Sequence, residues 1–222
     1  MFPPRPSRRA PERMRKRSPS DIVSSRFDVK EWTAFAEEVP SVDRVRPARC
    51  PYCGSGSRPT GQRLVIHGHG TRTRLLYGPL TATGQPAQIE VVVRRYRCTA
   101  CSRCMTVGPR GVLTRMQYSG GAIGMALAMW ALTETAVRQV RKAICPTGVH
   151  VDAPHGWSTL YRWARRADRL FDVPCEGGVE SAEAARRRAK EVATVLMGRA
   201  PDGCRGSPRT TRAYRGGLLG RA

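Results

Sequence analysis

Cys50-Pro51-Tyr52-Cys53-Gly54 and, further on, Arg97-Cys98-Thr99-Ala100-Cys101 are the stretches whose reading decides the fold. Each is a C-x-x-C knuckle, which turns two thiolates toward one centre. Two knuckles supply four sulfurs, the donor set of a closed tetrahedral zinc site. The reading is therefore a zinc ribbon with Cys50, Cys53, Cys98 and Cys101 as ligands and zinc as the cofactor. A redox C-x-x-C is disfavoured because no βαβ pattern surrounds either pair. Cys104 repeats the two-residue spacing after Cys101, so Cys101 with Cys104 is a formal alternative, and His67 and His69 are possible substitute ligands. Cys98 with Cys101 is preferred because Tyr96-Arg97 runs straight into that knuckle. Cys145, Cys175 and Cys204 stand apart and read as free thiols.

Between the knuckles, three runs suit strands: Arg63 to His67, Thr71 to Tyr77, and Ile89 to Arg97. In the last run Ile89, Val91 and Val93 alternate with Glu90, Val92, Arg94 and Tyr96, the two-residue period of a half-buried strand. Gly78-Pro79 and Gly84-Gln85-Pro86 mark turns. Residues 50–115 carry ten arginines and one acid, Glu90.

Over the whole chain, 39 Lys+Arg stand against 17 Asp+Glu, a formal charge of +22 on 222 residues. That balance calls for a polyanionic partner, nucleic acid before an anionic membrane. No apolar run is long enough to span a bilayer, and the basic N-terminus lacks the apolar core of a secretory signal. The expectation is a cytoplasmic, nucleoid-associated protein whose cysteines bind metal rather than form disulfides.

On either side of the ribbon the pattern changes. Residues 1–27 read as a disordered basic arm, and 28–49 as a short helix and linker, with Asp28 and Glu31 forming a capping box and Trp32 and Phe35 on one face. Helical periodicity governs 116–174. A first helix carries Ala122, Ile123, Ala126, Leu127 and Trp130. A second carries Val137, Val140 and Ile144, stopped by Pro146. A third, starting at Asp152 or Ser158, runs to Phe171. The third is apolar at Leu160 and Ala167 and basic opposite, with Thr159, Tyr161, Arg162, Arg165, Arg166 and Arg169. The expected fold class is α+β: a small zinc-ribbon sheet, then three helices arranged like a helix-turn-helix, between disordered basic termini. The connection from Pro146 to Val151 is longer than the usual turn of that motif. Residues 175–222 read as one short helix from Ser181 and a disordered basic tail, the Arg186-Arg187-Arg188 run being a solvated face.

The knuckle Cys50-Pro51-Tyr52-Cys53-Gly54, the His67-Gly68-His69-Gly70-Thr71-Arg72 turn, the Arg94-Arg95-Tyr96-Arg97-Cys98 strand end and the Ser158-Thr159-Leu160-Tyr161-Arg162-Trp163 helix start resemble the N-terminal half of bacterial insertion-sequence transposases. There a zinc ribbon is followed by a helix-turn-helix. The resemblance spans residues 50 to about 171 and implies recognition of double-stranded DNA. A separate RNase H-like domain cuts DNA in that family, using three carboxylates and two metals. The residues after Phe171 show no strand pattern that arrays such a trio, so the expectation is a non-catalytic DNA-binding protein, the alternatives being an active or truncated transposase and a zinc-ribbon adaptor that binds another protein. It would act as a homo-oligomer or beside a separate transposase subunit. On this reading Thr159, Arg162 and Arg166 read bases, Arg165 and Arg169 meet phosphates, and Arg72, Arg74, Arg94 and Arg95 add affinity that ignores sequence.

Overall fold

The computed structural model describes residues 22–35, 39–146 and 157–219. Its fold class is α+β, a four-stranded sheet with six α-helices among those residues. β1 is Ile22–Ser24, β2 Ile66–Pro79, β3 Pro86–Cys98 and β4 Cys104–Gly108, in the sheet order β1-β4-β3-β2. β2 and β3 form a long antiparallel hairpin, β4 pairs antiparallel with β3, and β1 pairs parallel with β4.

Several sequence expectations change here. The runs Arg63–His67 and Thr71–Tyr77 are not two strands. From Ile66 onward they are one, and the His-Gly-His-Gly segment is not a turn but a register shift between Gly68 and Thr71. A bulge absorbs the extra residue while pairing continues on both sides. The 1–27 arm is ordered from Ile22, because Ile22, Val23 and Ser24 pair with Thr106, Val107 and Gly108. A three-residue strand carries too little pattern to stand out against a basic background. The rest of the arm lies outside the described residues, as does Asp152; the third helix begins at Ser158.

One face of the sheet is covered by the segment before the first knuckle. Helix α1, Val29–Thr33, has the expected capping box: Glu31 N–H donates to Asp28 and Asp28 N–H to the Glu31 carboxylate. It sets Trp32 fully inside the core, with the indole N–H donating to the Val92 carbonyl. Tyr96 donates to the Val42 carbonyl and Arg94 to that of Pro40. The described residues of 28–49 are thus a cover on the sheet rather than a linker, and Val29, Val39 and Val45 fall in one buried cluster with Ile66, Tyr96, Met105 and Val107.

A second core is built around α2, Gly120–Leu132, which is buried on nearly every side. α3 (Val137–Ile144) and α4 (Ser158–Phe171) follow, as the periodicity predicts. The expected three-helix unit is larger, however. α5, Ala182–Arg199, buries Ala185, Ala189, Val192 and Leu196 in the same core. The tail expected to be disordered contains α6, Arg209–Leu219, packed against α2 and α5. Glycine makes that contact possible. A Cβ on Gly216 would lie 1.8 Å from the Leu196 carbonyl oxygen, and one on Gly217 would lie 2.3 Å from that of Gly120. A Gly-rich basic stretch reads as disorder in one dimension because backbone-to-backbone packing leaves no hydrophobic signature. The two bodies meet where Tyr77 packs on Tyr118 and Tyr214 donates to the Pro79 carbonyl.

Candidate metal centre and arginine groove

The first knuckle is shaped by its own backbone. Gly54 N–H donates to the Cys50 carbonyl and Cys50 N–H to that of Ser55, and Gly54 takes a left-handed φ of 76°, which glycine adopts without a Cβ clash. The second knuckle closes as Cys98 N–H donates to the Arg103 carbonyl, with Ser102 left-handed at φ 57°. Register then joins the two. Ile66 opens β2 opposite Cys98, and Thr99 N–H donates to the Val65 carbonyl, so both knuckles sit at one end of the hairpin.

The sulfurs of Cys50, Cys53, Cys98 and Cys101 all lie within 4.8 Å of one another. Cys50 Sγ is 3.7 Å from Cys101 Sγ, and Cys53 Sγ is 3.8 Å from Cys98 Sγ. A tetrahedral ion about 2.3 Å from each sulfur would space them about 3.8 Å apart. The four cysteines can therefore hold a metal ion. Cys104 is outside the cluster: it opens β4 opposite Arg97, and its side chain lines a groove instead. His67 and His69 are outside it too, His67 Nε2 being hydrogen-bonded with the Leu64 carbonyl.

Electrostatics divide the four thiols. Hydrogen bonds from the side chain and backbone of Ser55 pull Cys53 down to about 6, whereas burial pushes Cys101 up to about 12 and also raises Cys50. Buried thiols resist ionising next to one another, and a cation at the centre relieves that cost.

The arginines of the sheet divide by face. Residues directly opposite one another on neighbouring strands share a face. Arg72 faces Val93, Arg74 faces Val91 and Arg95 faces Thr106, so these three arginines share one side. They line a groove of about 950 Å³ together with Arg115, Thr73, Thr106 and Gln117. Arg115 adopts a left-handed φ of 60°. Arg74 is held by the Met116 carbonyl, and burial beside Arg72 lowers its pKa without neutralising it. Among the described residues no carboxylate is within ion-pair distance of Arg72, Arg74 or Arg95. Arg94 differs from expectation. The alternation that places Arg95 in the groove puts Arg94 on the covered face, against Pro40. Sequence reading missed Arg115 and Gln117, which lie beyond the last knuckle; only the return of the chain beside β2 brings them in.

On α4, Leu160, Trp163, Ala164, Ala167 and Phe171 are buried as the periodicity predicts, while Arg162, Arg165, Arg166 and Arg169 are exposed. Arg162 donates to Thr159 Oγ1 at 2.9 Å. Tyr161 does not belong to the basic face: its ring packs edge-on against Trp130. The Arg186-Arg187-Arg188 run is a solvated face only at Arg187, which is exposed. Arg186 donates twice to the Trp130 carbonyl, and the buried Arg188 donates to the carbonyls of Glu176 and Gly177. Cys145 is not isolated either, since it is hydrogen-bonded with the Tyr118 hydroxyl at 3.1 Å.

No family model, curated protein or solved structure matches this chain. No described helix is long and apolar enough to cross a membrane.

Proposed function

We propose that this chain is a zinc-dependent, double-stranded DNA-binding protein that does no strand chemistry of its own. The arginine groove is the observation that supports this most. Three guanidinium groups share one sheet face and Arg115 lines the same groove, and among the described residues no carboxylate is within ion-pair distance of Arg72, Arg74 or Arg95. Packing like charges together is unfavourable unless a polyanion neutralises them, and a phosphodiester backbone does so while releasing counterions.

Zinc is the metal of choice for four thiolates in a closed tetrahedral set. When bound, it supplies folding energy rather than catalysis, because all four positions are protein sulfur. It would fix the open end of the hairpin and with it the angle at which Arg72 and Arg95 meet the partner. The exposed arginines of α4 offer a second basic surface. There Thr159 and Arg162, in the first turns of the helix, and Arg166, further along, are suited to base edges, and Arg165 and Arg169 to phosphates. This division of labour would match the DNA-recognition half of a transposase acting beside a separate cutting subunit.

The test is selection of bound sequences from a random duplex pool, with zinc content measured on the same sample. About one zinc per chain and an enriched duplex site are expected. Binding that is equal with and without a chelator, or that RNA hairpins match at every salt concentration, would overturn this reading.

A further inference from the structure

The sheet carries a second basic cavity, on the side opposite the groove. Consecutive residues of a strand point to opposite faces. On β1, Ile22 lines the groove, and Val23 lines a smaller pocket of about 280 Å³. The pocket walls are Ser24 to Phe27 on one side, the Arg44–Pro47 loop on the other, and Val107 beneath.

Three arginines meet there, each held differently. Arg46 is buried, its side chain only 8% exposed. One terminal nitrogen donates to the Ile66 carbonyl and the other pairs with Asp43, which anchors the side chain in the wall of the pocket; its Nε is closed off from solvent and has no partner among the described residues. Arg44 stacks on two rings, 4.7 Å from Phe35 and 5.5 Å from Phe27, and Arg26 stacks on Phe27 at 4.9 Å. Phe27 and Phe35 brace each other edge to face. A stacked guanidinium has its plane fixed and its N–H edges left to donate. Among the described residues neither Arg26 nor Arg44 forms an ion pair, and Asp43, the carboxylate beside this loop, is shared between Arg46 and Arg58.

We infer that this pocket is a phosphate-binding site, and that its ligand is a backbone phosphate of the nucleic acid held in the groove. Two stacked guanidinium groups, with N–H edges left to donate, match the acceptor oxygens of a phosphate. β1 is an edge strand, so a strand of nucleic acid leaving the groove can pass around it and place a phosphate on the far face. This inference rests on the groove reading for the ligand's source, but not for the pocket's chemistry.

The experiment uses the full, metal-loaded chain. Inorganic phosphate is titrated at fixed ionic strength while the ¹⁵N resonance of the Arg26 Nε–H is followed, in the wild type and in Arg44→Ala. Arg44 is exposed, and near-ultraviolet circular dichroism with metal content checks that the variant is folded. A saturable shift is expected, weakened about tenfold in the variant. If phosphate moves the resonance no further than chloride does, the site is overturned. Duplex DNA is then titrated at several salt concentrations with Arg44→Ala and, separately, Arg95→Ala. Arg44→Ala should flatten the salt slope by about one unit. If only Arg95→Ala weakens the duplex, the pocket's role on nucleic acid fails and the groove stands. If only Arg44→Ala does, the groove fails and the pocket stands. A phosphate shift with neither variant affecting the duplex makes the ligand a free phosphate and overturns the nucleic-acid assignment.

Discussion

Arginine has opposite roles in the two bodies of this protein. In the helical body it closes helix ends. The last carbonyls of a helix lack partners and carry the negative end of its dipole. Arg186 donates to Trp130 near the end of α2, Arg199 to Phe171 at the end of α4, and Arg212 to Met197 near the end of α5. In the sheet body Arg72, Arg74 and Arg95 gather on one face, with no acid in ion-pair distance among the described residues. The net charge of +22 therefore counts guanidinium groups engaged by carbonyls together with those of the groove and the exposed ones of α4. The cores differ as well. The helical body packs glycine against backbone around one enclosed helix, whereas the sheet body buries a smaller cluster and has four thiols grouped at its open end.

The largest effect should come from the helical contact. Gly216→Val places a branched side chain against the Leu196 backbone and should destabilise by about 3 kcal/mol or more. Denaturant unfolding followed by the tryptophans of that body would record it. A change under 1 kcal/mol would mean that α6 is dispensable, and the two bodies would then differ less than their packing implies.

Metal removal tests the other side. Cys98→Ser or a strong chelator should abolish binding of one ion per chain and loosen the knuckle end of the hairpin, while the far-ultraviolet helix signal holds. Cys104→Ser should keep the metal, since that side chain lines the groove. Equal metal loss from both substitutions would refute the ligand assignment.

Arginine substitutions should separate the two roles directly. Arg95→Ala should weaken every duplex alike and flatten the dependence of log affinity on log salt by about one unit, with stability unchanged. Arg186→Ala should do the reverse, costing about 1–2 kcal/mol of stability through the lost helix-end hydrogen bonds and leaving the salt slope alone. Matching behaviour in the two variants would erase the distinction drawn above.

The smallest effect concerns pH in the metal-free chain. Cys53 is lowered in the folded state to about 6 from an ordinary 9.0. Its contribution is thus present above the ordinary value and is lost as pH falls through about 6. Alkylation at neutral pH should strike Cys53 well before Cys101, which is raised to about 12. Bound metal should protect both. Faster reaction at Cys101 would show that the knuckle geometry changes when the metal leaves.

The sequence alone was enough to select the four cysteines that the fold brings together, because a C-x-x-C spacing is local and its chemistry leaves few alternatives. It was enough for α2, α3, α4 and α5, whose periodicity or Ser caps are also local, and for the Asp28–Glu31 box. Tertiary structure decided whatever depended on pairing over distance. Strand β1 exists only because β4 offers it an edge. The two runs before and after the His-Gly-His-Gly segment become one strand only when β3 carries pairing across the bulge. α6 is ordered by glycine contacts with backbone far away in sequence. The same holds for the arginines: strand parity sends Arg95 into the groove and Arg94 under the Pro40 loop, and a returning turn adds Arg115. Charge is written in the sequence, but whether a guanidinium meets a carbonyl or open groove depends on which backbone folds beside it.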